Sequence, residues 1–329
     1  MNYQAHLSSR RVAVACLASA ALTLFAGSSL AQAPAAGYPT KAINWVVGWP
    51  PGGSADSATR LVARRLEQML GQPVVVDNRP GAAGIIALNF AAKAPADGYT
   101  LVTVPGPVIS SVPSPQLGRE LTGVAMMGKG PAVLFGTKEE PLPATVNELI
   151  AAVKAQPQKF NYVSSGNGTA QHLAGELFNQ MAGTRINHIP YKGGTQAVAD
   201  VIGGQVNLGV LGITSVLPHI QAGKLKAYAV TTATRSKNLP DVPTLAETLP
   251  GFEATQWFVV AAPAGTPFDR IQKLNAAVAQ ILMEPEVAAG FSKVGIEPEQ
   301  ASPAQTTTFV TQDLQRWRTL AEKANLKLD

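Results

Sequence analysis

Cysteine is nearly absent from this chain. Its one thiol, Cys16, lies within an N-terminal apolar segment, so the rest carries no disulfide framework, no thiol chemistry and no cysteine-held metal. Charge is sparse as well. Only 14% of the 329 residues are charged, and the net +5 is scattered, with no basic run interleaved with stacking aromatics; a nucleic-acid partner is excluded on that ground. Catalytic signatures are missing too: there is no GxSxG elbow, no HExxH and no Walker-type GK[ST]. His172, His188 and His219 are dispersed, without i, i+4 pairing, so neither a metal site nor a cofactor is expected, and no residue is assigned a catalytic role.

The N-terminus carries an address. Arg10 and Arg11 precede the apolar run VAVACLASAALTLFAG and the small-residue stretch SSLAQAPAA, the three parts of a secretory signal peptide. The run is too short to span a bilayer. Cleavage after Ala31 places Ser29 and Ala31 at the small-residue positions, so residues 1–31 are expected to be removed and the product to reach the periplasm. Ser9 before the arginine pair leaves a twin-arginine route open, but the rest of that signal is missing and the general secretory route is favoured.

Beyond the signal, strands and helices alternate. INWVVGW ends in PPGG and leads into the helical period of SADSATRLVARRLEQML; PVVVDN, the turn RPGAAG and IIALNFAAKA repeat the unit, and YTLVTVPG adds a third strand. The middle of the chain has the same rhythm, from TVNELIAAVKAQ through FNYVSS, TAQHLAGELFNQMAG, INHIPY, GTQAVADVIGG and VNLGVL to KLKAYAVTT. Such alternation predicts two α/β lobes with mostly parallel sheets and right-handed crossovers. Two extended apolar stretches, residues 124–137 and 252–266, are suited to cross between the lobes. From Pro267 onward the pattern is helical.

In open parallel sheets, ligands sit beyond the C-terminal strand ends, where helix N-termini point. Those ends carry the turns GWPPGGSAD, NRPGAAG, VPGPVIS, SSGNGT, YKGGT and LGITS. Six small-residue turns from two lobes are thereby expected to converge on one cleft.

The ordered blocks YPTKAINWVVGWPPGGSAD, LGQPVVVDNRPGAAG, ADGYTL, FNYVSSGNGTAQHLAGELF, INHIPYKGG, LPHIQAGKLKAYAVTT, LPDVPTLAE and PGFEATQWFVVAAPAGTP resemble the Bug-type periplasmic receptors of tripartite tricarboxylate transporters, from about Pro39 to the end. The resemblance implies a solute-binding protein of the two-lobed type II fold that closes on a carboxylated solute and delivers it to membrane permease subunits; a monomer is expected. Lobe 1 would comprise residues 36–134 and 257–329, and lobe 2 residues 135–256. A citrate or other tricarboxylate receptor, or a ligand-presenting partner of a membrane sensor kinase, are the alternatives within the same fold.

Several residues carry the expected site. Trp49, Pro51, Gly52, Gly53 and Ser54 form the first turn, with Asp56 behind it as a cap or gate because its charge would repel an acid. Ala82, Ala83 and Gly84 form the second turn and Gly106 belongs to the third. Ser164, Ser165, Gly168, Thr169 and His172 surround the helix start after FNYVSS, while Tyr191, Gly193 and Gly212 complete the wall. Bare turns and helix N-termini offer N–H donors to an anion. Charge-assisted hydrogen bonds contribute about 1.5 to 3 kcal/mol each, so a few of them hold a carboxylate without any arginine. Trp49 stands where the resembled family commonly has phenylalanine, and Leu211–Gly212 stand where many relatives have an acid followed by asparagine. These departures point to a planar, apolar-bodied acid such as terephthalate and away from amino acids.

Overall fold

The computed structural model describes residues 37–109 and 114–323. The expected signal segment, Cys16 and part of the third turn lie outside the described residues. Among those described, no helix is long and apolar enough to cross a membrane.

In chain order the elements are β1 (Ile43–Val47), α1 (Ser54–Leu70), β2 (Val74–Asn78), a 3-10 turn (Ala82–Gly84), α2 (Ile85–Ala92), β3 (Thr100–Gly106) and β4 (Leu121–Gly136). They continue as α3 (Val146–Ala155), β5 (Asn161–Ser164), α4 (Ala170–Ala182), β6 (Asn187–Pro190), α5 (Gly194–Ile202), β7 (Leu208–Gly212), α6 (Ile213–Gln221) and β8 (Lys226–Val230). The chain closes with β9 (Thr255–Pro263), α7 (Phe268–Leu282), α8 (Pro285–Lys293), β10 (Glu297–Pro298) and α9 (Pro303–Lys323).

The strands run β2-β1-β3-β9-β4-β7-β5-β6, with β8 and β10 also on β4. Pairing is parallel among β1, β2 and β3 and among β5, β6 and β7, whereas β9 and β4 run antiparallel to their neighbours. Each lobe is therefore a parallel trio closed by the crossing strands. The hand-over lies on β4: residues up to Pro131 pair with β9, and from Ala132 onward with β7.

Burial follows from this layering. Strands covered on both faces must be apolar on both, and in β1 Ile43, Trp45, Val46 and Val47 are all buried. In β5 neighbouring residues serve opposite faces, so Tyr162 joins the core with Leu149, Leu173 and Phe178 while Val163 joins the one with Val198, Leu211 and Val216. Helix α1 puts Ala55, Ala58, Val62 and Leu66 on its buried side and stops at Gly71, whose left-handed φ of 66° lets its N–H bond the Glu67 carbonyl.

Helix α9 serves both lobes. Val310 packs with Val46 and Trp257 in the first core, and Trp317 packs in the second. Amphipathicity alone places Trp317 on a core face without saying which core. The two-residue β10, paired with Gly128 and Lys129, has no sequence signal of its own.

Trp257 is the keystone of the first core. It is buried, its Nε1 donates to Asp313 Oδ2 at 2.8 Å, and it meets Phe309 edge-on with centroids 5.8 Å apart. Trp257→Ala is expected to cost about 3 to 5 kcal/mol through the cavity left behind, whereas Phe268→Ala, at an exposed position, should stay within about 0.5 kcal/mol. Denaturant unfolding of both variants checks the contrast.

Candidate functional site

Four helices begin at one cleft. The N-cap residues of α1, α4, α5 and α6 are Gly53, Thr169, Gly193 and Gly212, and all of them line the same space. Only Thr169 caps its own helix with its side chain, accepting from the His172 N–H; the three glycines provide no such cap. The first-turn N–H groups of α1, α5 and α6 thus keep their donor capacity and their partial positive charge toward the cleft.

No ionisable side chain lines the cleft among the described residues. Trp49, Pro50, Pro105, Pro107, Val108 and Leu211 supply apolar wall. Ser54, Ser165, Gln171, Thr195, Ser215 and Gln256 supply neutral polar groups. The empty space among these residues, open solvent at its mouth included, is about 520 Å³.

The lobes meet around this space. The Ile109 N–H donates to the Gly168 carbonyl at 2.8 Å, and Val108 bridges Thr169. Gly168 has φ +70°, and the Ile109 carbonyl lies where a Cβ would stand, so both the backbone angle and the contact require glycine. Pro50 closes on Gly193 in the same way.

Of the residues expected from sequence, Trp49, Gly53, Ser54, Gly106, Ser165, Thr169, Gly193 and Gly212 line the cleft. The others are not among its lining residues. Pro51 and Gly52 belong to the first turn but not to the lining, and the Gly52 N–H donates to Asp56. In the turn of Ala82, Ala83 and Gly84, the Trp49 ring lies against Gly84. Ala82 and Ala83 hold φ of 47° and 49°, a left-handed conformation costly for alanine. Tyr191 turns away, its hydroxyl donating to Asp200 at 2.5 Å.

Ser164 and His172 are the main corrections. Ser164 is fully buried, its Oγ 2.7 Å from His188 Nε2 and donating to the Gly166 carbonyl. His172 is 4% exposed; its Nδ1 accepts from the Gly168 N–H at 2.9 Å and its ring stacks on His188 at 3.9 Å. Both residues hold the 164–169 turn from beneath instead of facing the cleft. A serine in a GNGT-type turn looks solvent-ready in sequence; that the β5 pleat points its side chain into the lobe was not readable there.

Asp56 supports the first turn. Its carboxylate accepts from Gly52 N–H at 3.0 Å, Asn78 Nδ2 at 2.9 Å and Arg60 Nε at 3.0 Å. Burial alone would raise its pKa, but the Arg60, Gly52 and Asn78 hydrogen bonds outweigh burial and hold it below the usual range. The carboxylate thus ties the loop before α1 and does not cap a first-turn N–H of that helix.

Sequence reasoning missed Gln171 and Gln256. Gln171 follows the α4 cap and accepts from Ser165 Oγ at 2.7 Å. Gln256 sits on β9 opposite Gly130, beside the hand-over of β4. Alternation along a strand narrows such a residue to one of two faces, but which face meets the cleft depends on the register with β4.

Two lobes, crossing strands, and a cleft built from helix N-termini define a periplasmic-binding-protein fold of the solute-binding class. Residues 58–326 match the model of the tripartite tricarboxylate transporter family receptor, and the chain belongs to that family. It is 39% identical over 300 residues to Protein BugT of Bordetella pertussis, covering 88% of this chain and 91% of that one. A protein of R. palustris solved with adipate superposes with a TM-score of 0.84 at 34% identity, covering 88% and 98% of the two chains. MatC of Rhodopseudomonas palustris, solved with malate, gives 0.78 at 29% identity, covering 86% and 99%. The protein is thus a receptor that binds solute, not an enzyme.

The stacked histidines make stability depend on pH. Burial lowers His172 to about 4, and burial with the charge of His172 lowers His188 to about 3. In the unfolded chain both titrate near an ordinary histidine value of about 6.5. As pH falls below that value the unfolded chain takes up protons that the folded one does not, so stability drops through the window down to about 4. Glu176, raised by burial, contributes the opposite slope above its ordinary value, one group against two. The melting temperature is expected to fall from pH 7 to pH 5, and His188→Asn should flatten that slope. A melting temperature constant across this range in the unaltered protein would contradict the assignment.

Proposed function

We propose that this receptor captures a carboxylate with an apolar, planar body, with terephthalate as the leading candidate, and delivers it in the periplasm to the permease subunits of a tripartite tricarboxylate-type transporter. The observation that carries the reading is the cleft's electrostatics: three helix N-termini without side-chain caps face a space lined by no ionisable side chain. Such a site favours negative charge through fixed dipoles and N–H donors. It offers no carboxylate to an ammonium group.

The wall supports the apolar body. Trp49, Pro50, Pro105, Pro107 and Leu211 line the space, and a surface of indole and proline suits an aromatic or extended aliphatic acid better than a third carboxylate. The similar R. palustris protein was solved with adipate, a dicarboxylate with an apolar middle. We place citrate behind such acids, because its third charge would lie against apolar wall.

The receptor works as a single chain, with lobe 1 formed by residues 36–134 and 257–329 and lobe 2 by residues 135–256. Closure turns on β4 and β9, where β4 changes partners between Pro131 and Ala132. A bound acid stabilises the closed arrangement through contacts made from both lobes at once.

A thermal-shift panel of terephthalate, benzoate, adipate, malate, citrate and glutamate, followed by calorimetry, tests the reading. Terephthalate or adipate should give the largest rise. A rise with glutamate alone would overturn it. Gly212→Asp should weaken the best acid at least tenfold, because a Cβ there lies 2.5 Å from both Ser54 Oγ and Gln256 Oε1 and the carboxylate adds like charge. Gly212→Ser, with no charge, should weaken it less.

A further inference from the structure

Gly212 lacks a side chain, but the space beside it is not left to the solvent. Ser54 Oγ, from the first turn of α1, and Gln256 Oε1, from β9, both lie 2.5 Å from where its Cβ would be. Two elements from outside the β7–α6 turn therefore put polar atoms where a longer residue 212 would put its own. Gln256 is 7% exposed and Ser54 is 8% exposed. Neither side chain has a hydrogen-bond partner among the described residues, although both line the cleft.

The polar atoms of the Gln256 amide are not among the buried unpartnered ones of the described residues, so they face the cleft, where a ligand oxygen can take the place of water. With Oε1 the amide atom nearest Gly212, the Nε2 donors remain for something in the cleft. The uncapped N-termini of α1 and α6 meet at the same place, so the group lodged there is an acceptor oxygen carrying negative charge.

We propose that Gln256 is a specificity-determining residue, whose carboxamide donates to an acceptor oxygen of the bound acid at the floor of the cleft, between Ser54 and Gly212. This rests on the carboxylate reading above and deepens it: the solute presents an oxygen-bearing polar end to the hinge strand as well as an apolar body to Trp49. A neutral donor there accepts acids and gives an ammonium group only one oxygen to meet.

The experiment compares the wild-type chain with Gln256→Met, Gln256→Leu and Gln256→Glu, using terephthalate and adipate as probes. Melting temperature is read in buffer alone and affinity by calorimetry. An amide that bonds only ligand or cleft water is not needed by the free protein, so Gln256→Met or Gln256→Leu should not lower the melting temperature. The same variants should weaken the better acid at least tenfold. Gln256→Glu, which replaces a donor with like charge, should weaken it further still. A merely structural glutamine would lower the melting temperature in both apolar variants, and that result overturns the proposal, as does an affinity within twofold of wild type. If neither acid binds the wild-type chain, the carboxylate reading falls and Gln256's role falls with it; if an acid binds and the variants match wild type, only the role of Gln256 falls.

Discussion

An anion held by main-chain donors needs helix N-termini that are left open, and this requirement governs much of the cleft. A side chain at an N-cap satisfies the first-turn N–H groups and fills the space before them. Glycine does neither, and it costs only a few tenths of a kcal/mol relative to the best capping residues. Gly53, Gly193 and Gly212 therefore leave α1, α5 and α6 stable while their N–H groups stay open toward the space between the lobes. The same bareness lets the lobes approach until Pro50 touches Gly193 and Ile109 bonds Gly168. Electrostatics and closure thus share one cause.

Charge is present near the cleft, but behind it. Asp56 holds the first turn through Gly52 and Asn78 and is neutralised by Arg60. Under the facing turn, Ser164, His172 and His188 form a neutral network that anchors Gly166 and Gly168. Tyr162 and Glu176 extend it with a 2.6 Å hydrogen bond. Buried networks of this kind fix geometry when every member is satisfied. Their function here is to keep backbone donors aimed, so that no reorganisation is needed when a charge arrives.

Much of the architecture was legible because it depends on local signals. The helical period beginning at Ser54 and the Gly71 stop delimit α1 as observed, and the glycine turns after β1, β5 and β7 mark the helix starts that reach the cleft. What was not legible depends on register and pleat. Ser164 and Ser165 are adjacent in a polar turn, yet the first points to His188 and the second to the cleft. The RPGAAG turn reads as a donor loop, but it is not among the cleft lining, and the contact of its Gly84 with the Trp49 ring is tertiary. Gln256 and Gly130 pair across strands more than a hundred residues apart in sequence, and no local pattern reports which face of such a pair closes a cavity.

Main-chain recognition has a further consequence for selectivity. N–H groups at helix ends attract carboxylates in general and do not distinguish one acid from another. Discrimination must come from side chains that reach the same space, and among the described residues these divide by element. Trp49 and Leu211 shape the body of the site, Gln171 stands at the α4 end with its oxygen occupied by Ser165, and Gln256 stands on the strand joining the lobes. Gln256 pairs with Gly130 of β4, and its neighbour Trp257 pairs with both β3 and β4, so Gln256 is set at the edge of a strand held on either side. A change of ligand class therefore needs only a few side chains on this frame, while the glycines that start the helices remain as they are.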